Sequence, residues 1–150
     1  MIERGLTCIH VLDVSHAAIE RAHSRLGTSA TIVTWIEADV RSHWQVQSVD
    51  VWHDRATFHF LIDASDRQKY LAALRRALKP SGHVVIATFA PDGPAMCSGL
   101  PTVRYSPESL AMELGPDFLL VDSTREAHVT PGGALQPFTF AVFRRMMDHR

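Results

Sequence analysis

The feature that most restricts the fold is an alternation. Short runs rich in β-branched residues are separated by amphipathic stretches with helical spacing. Parallel strands need long crossovers, and a helix is the usual one, so this pattern predicts an α/β domain with a mainly parallel sheet. The alternation stops near the C-terminal end, where two strand-like runs are joined by a short turn. An antiparallel hairpin therefore closes the sheet. The chain has 150 residues, enough for one sizeable core, and residues 1–150 are expected to form a single domain.

The first apolar run, residues 8–14, is a candidate buried strand ending at Ser15, a good helix N-cap. Ile19, Ala22 and Leu26 follow on one helical face, and Gly27 stops that helix. Residues 31–36 and 49–52 read as strands. Ser65 and Gln68 have the spacing of a capping box, and Leu71, Leu74 and Leu78 form an apolar stripe behind it. Lys79-Pro80-Ser81-Gly82 breaks the helix, and residues 83–89 make a central strand. Residues 91–101, dense in proline and glycine, are expected to loop. Ser106 and Pro107 start a third helix that ends at Gly115. Residues 118–127 and 138–143 form the final hairpin around Thr130-Pro131-Gly132-Gly133.

Charge and cysteine content narrow the function. The net charge is −1 with both signs interspersed, so no basic face marks a nucleic-acid partner. The two cysteines, Cys8 and Cys97, fit no zinc spacing and are expected to be free thiols in a reducing cytoplasm. Nine histidines occur without a His-x-x-x-His pair, so no metal site is expected. The apolar runs are strand-sized, so no membrane partner is expected either.

Ligands of open parallel sheets bind at the carboxyl ends of strands. Three acids fall at such ends: Asp13 in Val11-Leu12-Asp13-Val14-Ser15, Asp39 in Glu37-Ala38-Asp39-Val40, and Asp54 in Val51-Trp52-His53-Asp54-Arg55. Together with the helix, proline-glycine turn and strand of residues 74–86, these segments resemble a class I S-adenosylmethionine-dependent methyltransferase. The Trp52-His53-Asp54-Arg55 run also resembles small bacterial members of that class. The resemblance implies a Rossmann-like sheet in the order 3-2-1-4-5-7-6 and S-adenosylmethionine as cofactor. It implies that Asp13 bonds the ribose hydroxyls, with Val14 beside it. Asp39 and the Val40 amide meet the adenine, and Asp54 lies beside the methyl group. Asp54 and His59 are the candidate catalytic residues. Asp54-Arg55-Ala56-Thr57 is also similar to a pattern found in protein lysine methyltransferases.

The resemblance starts at the second strand of that family. The glycine-rich first strand and its helix have no counterpart, and residues 1–5 resemble the end of the first helix, with Gly5 as its stop. Three readings stand open: an N-terminally truncated chain, a sheet completed by a partner such as a homodimer, or strands that close the gap directly. Two functions follow. One is methyl transfer to a small molecule or a protein side chain. The other is a non-catalytic methyltransferase-like partner module or truncated relic. A nicotinamide-dependent Rossmann enzyme is a third, since it too ends its second strand in an acid. Arg104, Tyr105, Arg125, Glu126 and His128 fall in segments that cover the substrate side of this superfamily, either to select a polar or anionic substrate or as solvated surface.

Overall fold

A computed structural model describes Ile2 and residues 5–147. The chain divides into two compact units, Met1–Val46 and Gln47–Arg150. In the first unit, β1 (Ile9–Asp13) is followed by α1 (His16–Leu26), a short tight-helical turn and β2 (Val33–Glu37). β1 and β2 pair in parallel, with Asp13 opposite Glu37. Ser15 caps α1 by accepting the Ala18 amide. Gly27 follows with φ 56, the left-handed backbone that suits glycine. Gly5 has φ 81 and donates to Ile2 O at 2.9 Å. The rest of the expected 1–5 helical turn lies outside the described residues.

The second unit contains β3 (Val49–Arg55), α2 (Ala64–Ala77), β4 (Leu78–Phe89), a small hairpin of β5 (Met96–Cys97) and β6 (Leu100–Pro101), α3 (Pro107–Leu114), β7 (Phe118–Val129) and β8 (Leu135–Arg145). The main sheet has the order β3-β4-β8-β7. β3 and β4 are parallel, while β8 pairs antiparallel with both β4 and β7. The parallel β1–β2 pair and the four-stranded sheet therefore reproduce the runs 3-2 and 4-5-7-6 of the expected order, each within its own unit. Among the described residues, β1 pairs only with β2, and β3 only with β4.

One sheet face carries Val84, Ile86 and Thr88 of β4 and Thr139, Ala141 and Phe143 of β8, all buried. Alternate residues share a face, which is why this set has period two. Tyr70, Leu71, Leu74 and Ala77 of α2 and Leu110 and Leu114 of α3 are also in the core. The small hairpin replaces part of the expected 91–101 loop. Its two-residue turn has both Ser98 and Gly99 at positive φ, the geometry that matches strand twist.

Two local expectations are corrected. α2 starts after Asp63, so Ser65 lies inside the helix and the Ser65–Gln68 box does not form. Lys79-Pro80-Ser81-Gly82 does not form a separate turn but lies within β4. The strand absorbs it through a register shift opposite β3, from Val49–Leu78 to Val51–His83. Gly82 is needed there: an added Cβ would sit 2.8 Å from both Leu78 Cδ1 and Lys79 O. The third helix start is as expected, with Ser106 capping and Ser109 reciprocating from the third position.

Candidate functional site

In the first unit, the candidate residues gather at the carboxyl ends of the parallel pair. Asp13 ends β1, and its Oδ1 accepts the Ser15 amide at 2.8 Å. This bond fixes the carboxylate beside the start of α1, where the helix dipole favours negative charge. Val14 follows, 70% exposed, an apolar surface next to an acid. Across the ladder, Glu37 bonds His16 Nδ1 at 2.8 Å, and that bond raises the His16 pKa. Asp39 is held by Arg41 through a fork of Nε at 2.9 Å to Oδ1 and Nη2 at 2.6 Å to Oδ2. The Arg41 amide donates to the same carboxylate at 2.8 Å. Val40 O accepts Trp44 Nε1 at 3.2 Å.

In the second unit, Asp54 is buried near the end of β3. Its carboxylate accepts the Thr57 amide at 3.0 Å, the Phe58 amide at 3.2 Å and the Tyr70 hydroxyl at 2.7 Å. Tyr70 in turn accepts Trp52 Nε1 at 2.9 Å. Burial raises the Asp54 pKa, and these hydrogen bonds oppose the rise. The same burial, with the Asp54 charge second, raises that of Tyr70. Between them the chain turns at Ala56, which has φ 64. A non-glycine residue is strained there and needs its surroundings to hold it. The Asp54 carboxylate does this, together with the Ala56 amide, which donates to Ala87 O at 2.9 Å.

His59 is fully buried. The Phe89 amide donates to its Nδ1 at 3.3 Å, so the neutral ring carries its proton on Nε2. Nε2 has no hydrogen-bond partner among the described residues. The rings of Phe60 and Phe89 lie 4.5 and 4.6 Å from the His59 ring. Burial lowers the His59 pKa to about 4. Arg55 points to the opposite sheet face from Asp54 and stacks over Phe138, its guanidinium carbon 5.2 Å from the ring centre.

Each of the two units thus places its candidates at, or in the turns just after, its own strand ends, His59 in a short tight-helical turn, Phe58–Phe60. Asp13, Val14, Asp39 and Val40 belong to the first, and Asp54 and His59 to the second. Sequence reasoning missed the Arg41 fork, the Tyr70 hydroxyl and the Arg55 stack. Tyr70 left a signal. A tyrosine beside a helix's apolar stripe needs a partner for its hydroxyl, and a strand-end acid was available. Of the late-segment candidates, Tyr105 is buried and Arg125 forms an ion pair with Asp92. His128 sits 6.4 Å from the Phe138 ring. Among the described residues no cluster of His, Cys, Asp and Glu could hold a metal ion, and no helix is long and apolar enough to cross a membrane.

Parallel strands with acids at their carboxyl ends, followed by an inserted antiparallel last strand, define a Rossmann-like α/β domain of the methyltransferase kind. The chain belongs to the methyltransferase domain family, whose model matches residues 2–86. Solved structures agree on the fold. The N-methyltransferase NodS of Bradyrhizobium japonicum aligns with a TM-score of 0.70 at 20% identity, covering 92% of this chain and 73% of that one. A 1,6-didemethyltoxoflavin N1-methyltransferase of Burkholderia thailandensis, solved with bound 1,6-didemethyltoxoflavin and S-adenosylhomocysteine, aligns at a TM-score of 0.72 and 22% identity. There the coverage is 97% of this chain and 64% of that one. An S-adenosylmethionine-dependent methyltransferase of Anabaena variabilis aligns at 0.74 and 16% identity, covering 96% of this chain and 70% of that one. No curated protein matches the chain.

Proposed function

We propose that this chain binds S-adenosylmethionine and transfers its methyl group to a small molecule or a protein side chain. One observation carries the reading: in a member of this family, the Asp13 carboxylate is fixed at a strand end directly beside the exposed Val14. That donor set fits the group, since a carboxylate accepts hydroxyl hydrogen bonds well and the exposed valine offers a flat base an apolar face. Asp13 holds the ribose hydroxyls and Val14 the adenine face, while Asp39 and Val40 meet the adenine edge. The bound cofactor supplies an already activated sulfonium methyl.

In the second unit, Asp54 and His59 act by position. The Asp54 oxygens are engaged by two amides and a hydroxyl, so the carboxylate fixes the Arg55-Ala56-Thr57 turn. His59 stays neutral throughout the physiological range and ties that turn to the end of β4. Titration calorimetry with S-adenosylhomocysteine tests the reading. Asp13→Asn removes charge-assisted bonds worth about 1.5–3 kcal/mol, a loss of roughly ten- to hundredfold in affinity. Unchanged affinity in this variant removes the ribose assignment.

A second reading, a methyltransferase-like module that does not turn over, draws on the Arg41 fork that already grips Asp39. Absence of S-adenosylhomocysteine binding by the unmodified chain at millimolar concentration selects it.

A further inference from the structure

Arg55 is a cation that the roles above leave unused. Its side chain is exposed at the last position of β3. Among the described residues no hydrogen bond or ion pair reaches its guanidinium. Arg67, Arg75 and Arg125 in the same unit each meet a carboxylate, of Glu113, Asp117 and Asp92 respectively.

A solvated surface arginine would be free to swing, but this one is held. Its guanidinium lies over Phe138, a ring only 4% exposed and braced by Phe89 at 4.9 Å and Phe140 at 6.2 Å. The next residue is the left-handed Ala56, tied to Ala87. Backbone strain of this kind is kept where the surroundings enforce it and concentrates at ligand sites. Arg55 is also the β3 partner of Ala87, so it stands at the carboxyl ends of two parallel strands. Part of the surroundings is apolar: Ala56, Cys97 and Phe140 pack, partly buried, around Ala87, Phe89 and Phe138, while Glu126, the cross-strand partner of Phe138, and His128, its ring centre 6.4 Å from that of Phe138, share this face. An unspent fork of N–H donors is thus fixed beside a flat hydrocarbon surface.

We propose that Arg55 binds the carboxylate of the methyl acceptor, and that this acceptor is a small acid with a flat apolar body. The inference rests on the methyl-transfer reading for the word acceptor, but the binding site stands by itself. A guanidinium matches a carboxylate with two parallel bonds, and stacking on an aromatic face leaves that edge available. A single positive charge balances a single negative one. A phosphate dianion would ask for a second cation, and Arg125, which alternation along β7 sends to the other sheet face with Thr139, is paired with Asp92.

The experiment is a titration of the full chain, with S-adenosylhomocysteine present, by benzoate, cinnamate, their amides and phenyl phosphate. Binding is read by chemical-shift changes. The carboxylates are expected to bind at least tenfold more tightly than the amides. Arg55→Met is expected to reduce the acids to the level of the amides, and Arg55→Lys to restore part of the difference. Far-ultraviolet circular dichroism checks that both variants fold. The proposal is overturned if neither acid binds, if acids and amides bind alike, if Arg55→Met changes nothing, or if phenyl phosphate binds best. A separate titration of S-adenosylhomocysteine reports on the cofactor reading. Its failure alongside Arg55-dependent acid binding would sink methyl transfer and keep the anion site.

Discussion

His59 should make the second unit sensitive to acid in a defined window. Its ring is neutral in the fold because burial disfavours the charged form, and its pKa falls from 6.5 to about 4. The unfolded chain takes up this proton first as pH drops. Stability therefore rises with pH between about 4 and 6.5, and is lost in the reverse direction. The full difference, about 2.5 units at 1.36 kcal/mol each, is about 3 kcal/mol. Between pH 7.5 and 5 the lost part is about 2 kcal/mol. Asp54 works against this: its raised pKa gives stability that declines as pH climbs above the ordinary carboxylate range. Comparing two proteins that share Asp54 cancels its contribution. His59→Gln keeps an acceptor for the Phe89 amide and cannot titrate. Urea unfolding followed at Trp52, with Trp35 and Trp44 replaced by phenylalanine in both proteins, isolates this unit. The His59 protein should lose about 2 kcal/mol more than the glutamine variant on going from pH 7.5 to 5. Parallel losses in the two proteins would refute the buried neutral histidine.

Other outcomes follow from the same contacts. Tyr70→Phe removes a donor from the buried Asp54 carboxylate, and should cost about 1–3 kcal/mol in urea unfolding. Gly82→Ala forces a Cβ against Leu78 and Lys79 O, so its thermal midpoint should fall well below that of an exposed glycine-to-alanine control at Gly132. Ser106→Ala breaks the box at the start of α3 and should cost about 1 kcal/mol by the same denaturation assay.

The parallel strands were legible because their apolar runs are short, β-branched and bounded by caps. The α3 start was legible because Ser106 and Pro107 each have one favoured place in a helix. The 79–82 segment was misleading for a physical reason: proline and glycine signal a break, yet a register shift accommodates both inside β4. Asp13, Asp39 and Asp54 could be found as strand-end acids, but of their partners only Tyr70 left a signal. Arg41 is two residues from Asp39, whereas Tyr70 reaches Asp54 across 16 positions, and the Arg55–Phe138 contact joins β3 to β8. Contacts of that separation are set by sheet order, which periodicity does not encode. Strand alternation sends the neighbouring Asp54 and Arg55 side chains to opposite faces, so their adjacency in the sequence is no guide to their partners.

The place of β8 has a consequence in time. It is the last described strand, yet it lies between β4 and β7. As the chain leaves the ribosome, β3, α2 and β4 can assemble while the far side of β4 still lacks its neighbour. Phe89 then waits for Phe138, and His83 for Arg144, partners that emerge only after the intervening hairpin and helix. Until they arrive, an apolar strand edge lies open to other chains. Closing it requires a long loop to find its register, which is a slow kind of step. This unit can complete its sheet only once β8 is available, and a chain stopped before Leu135 would be left with β4 unpaired on that side.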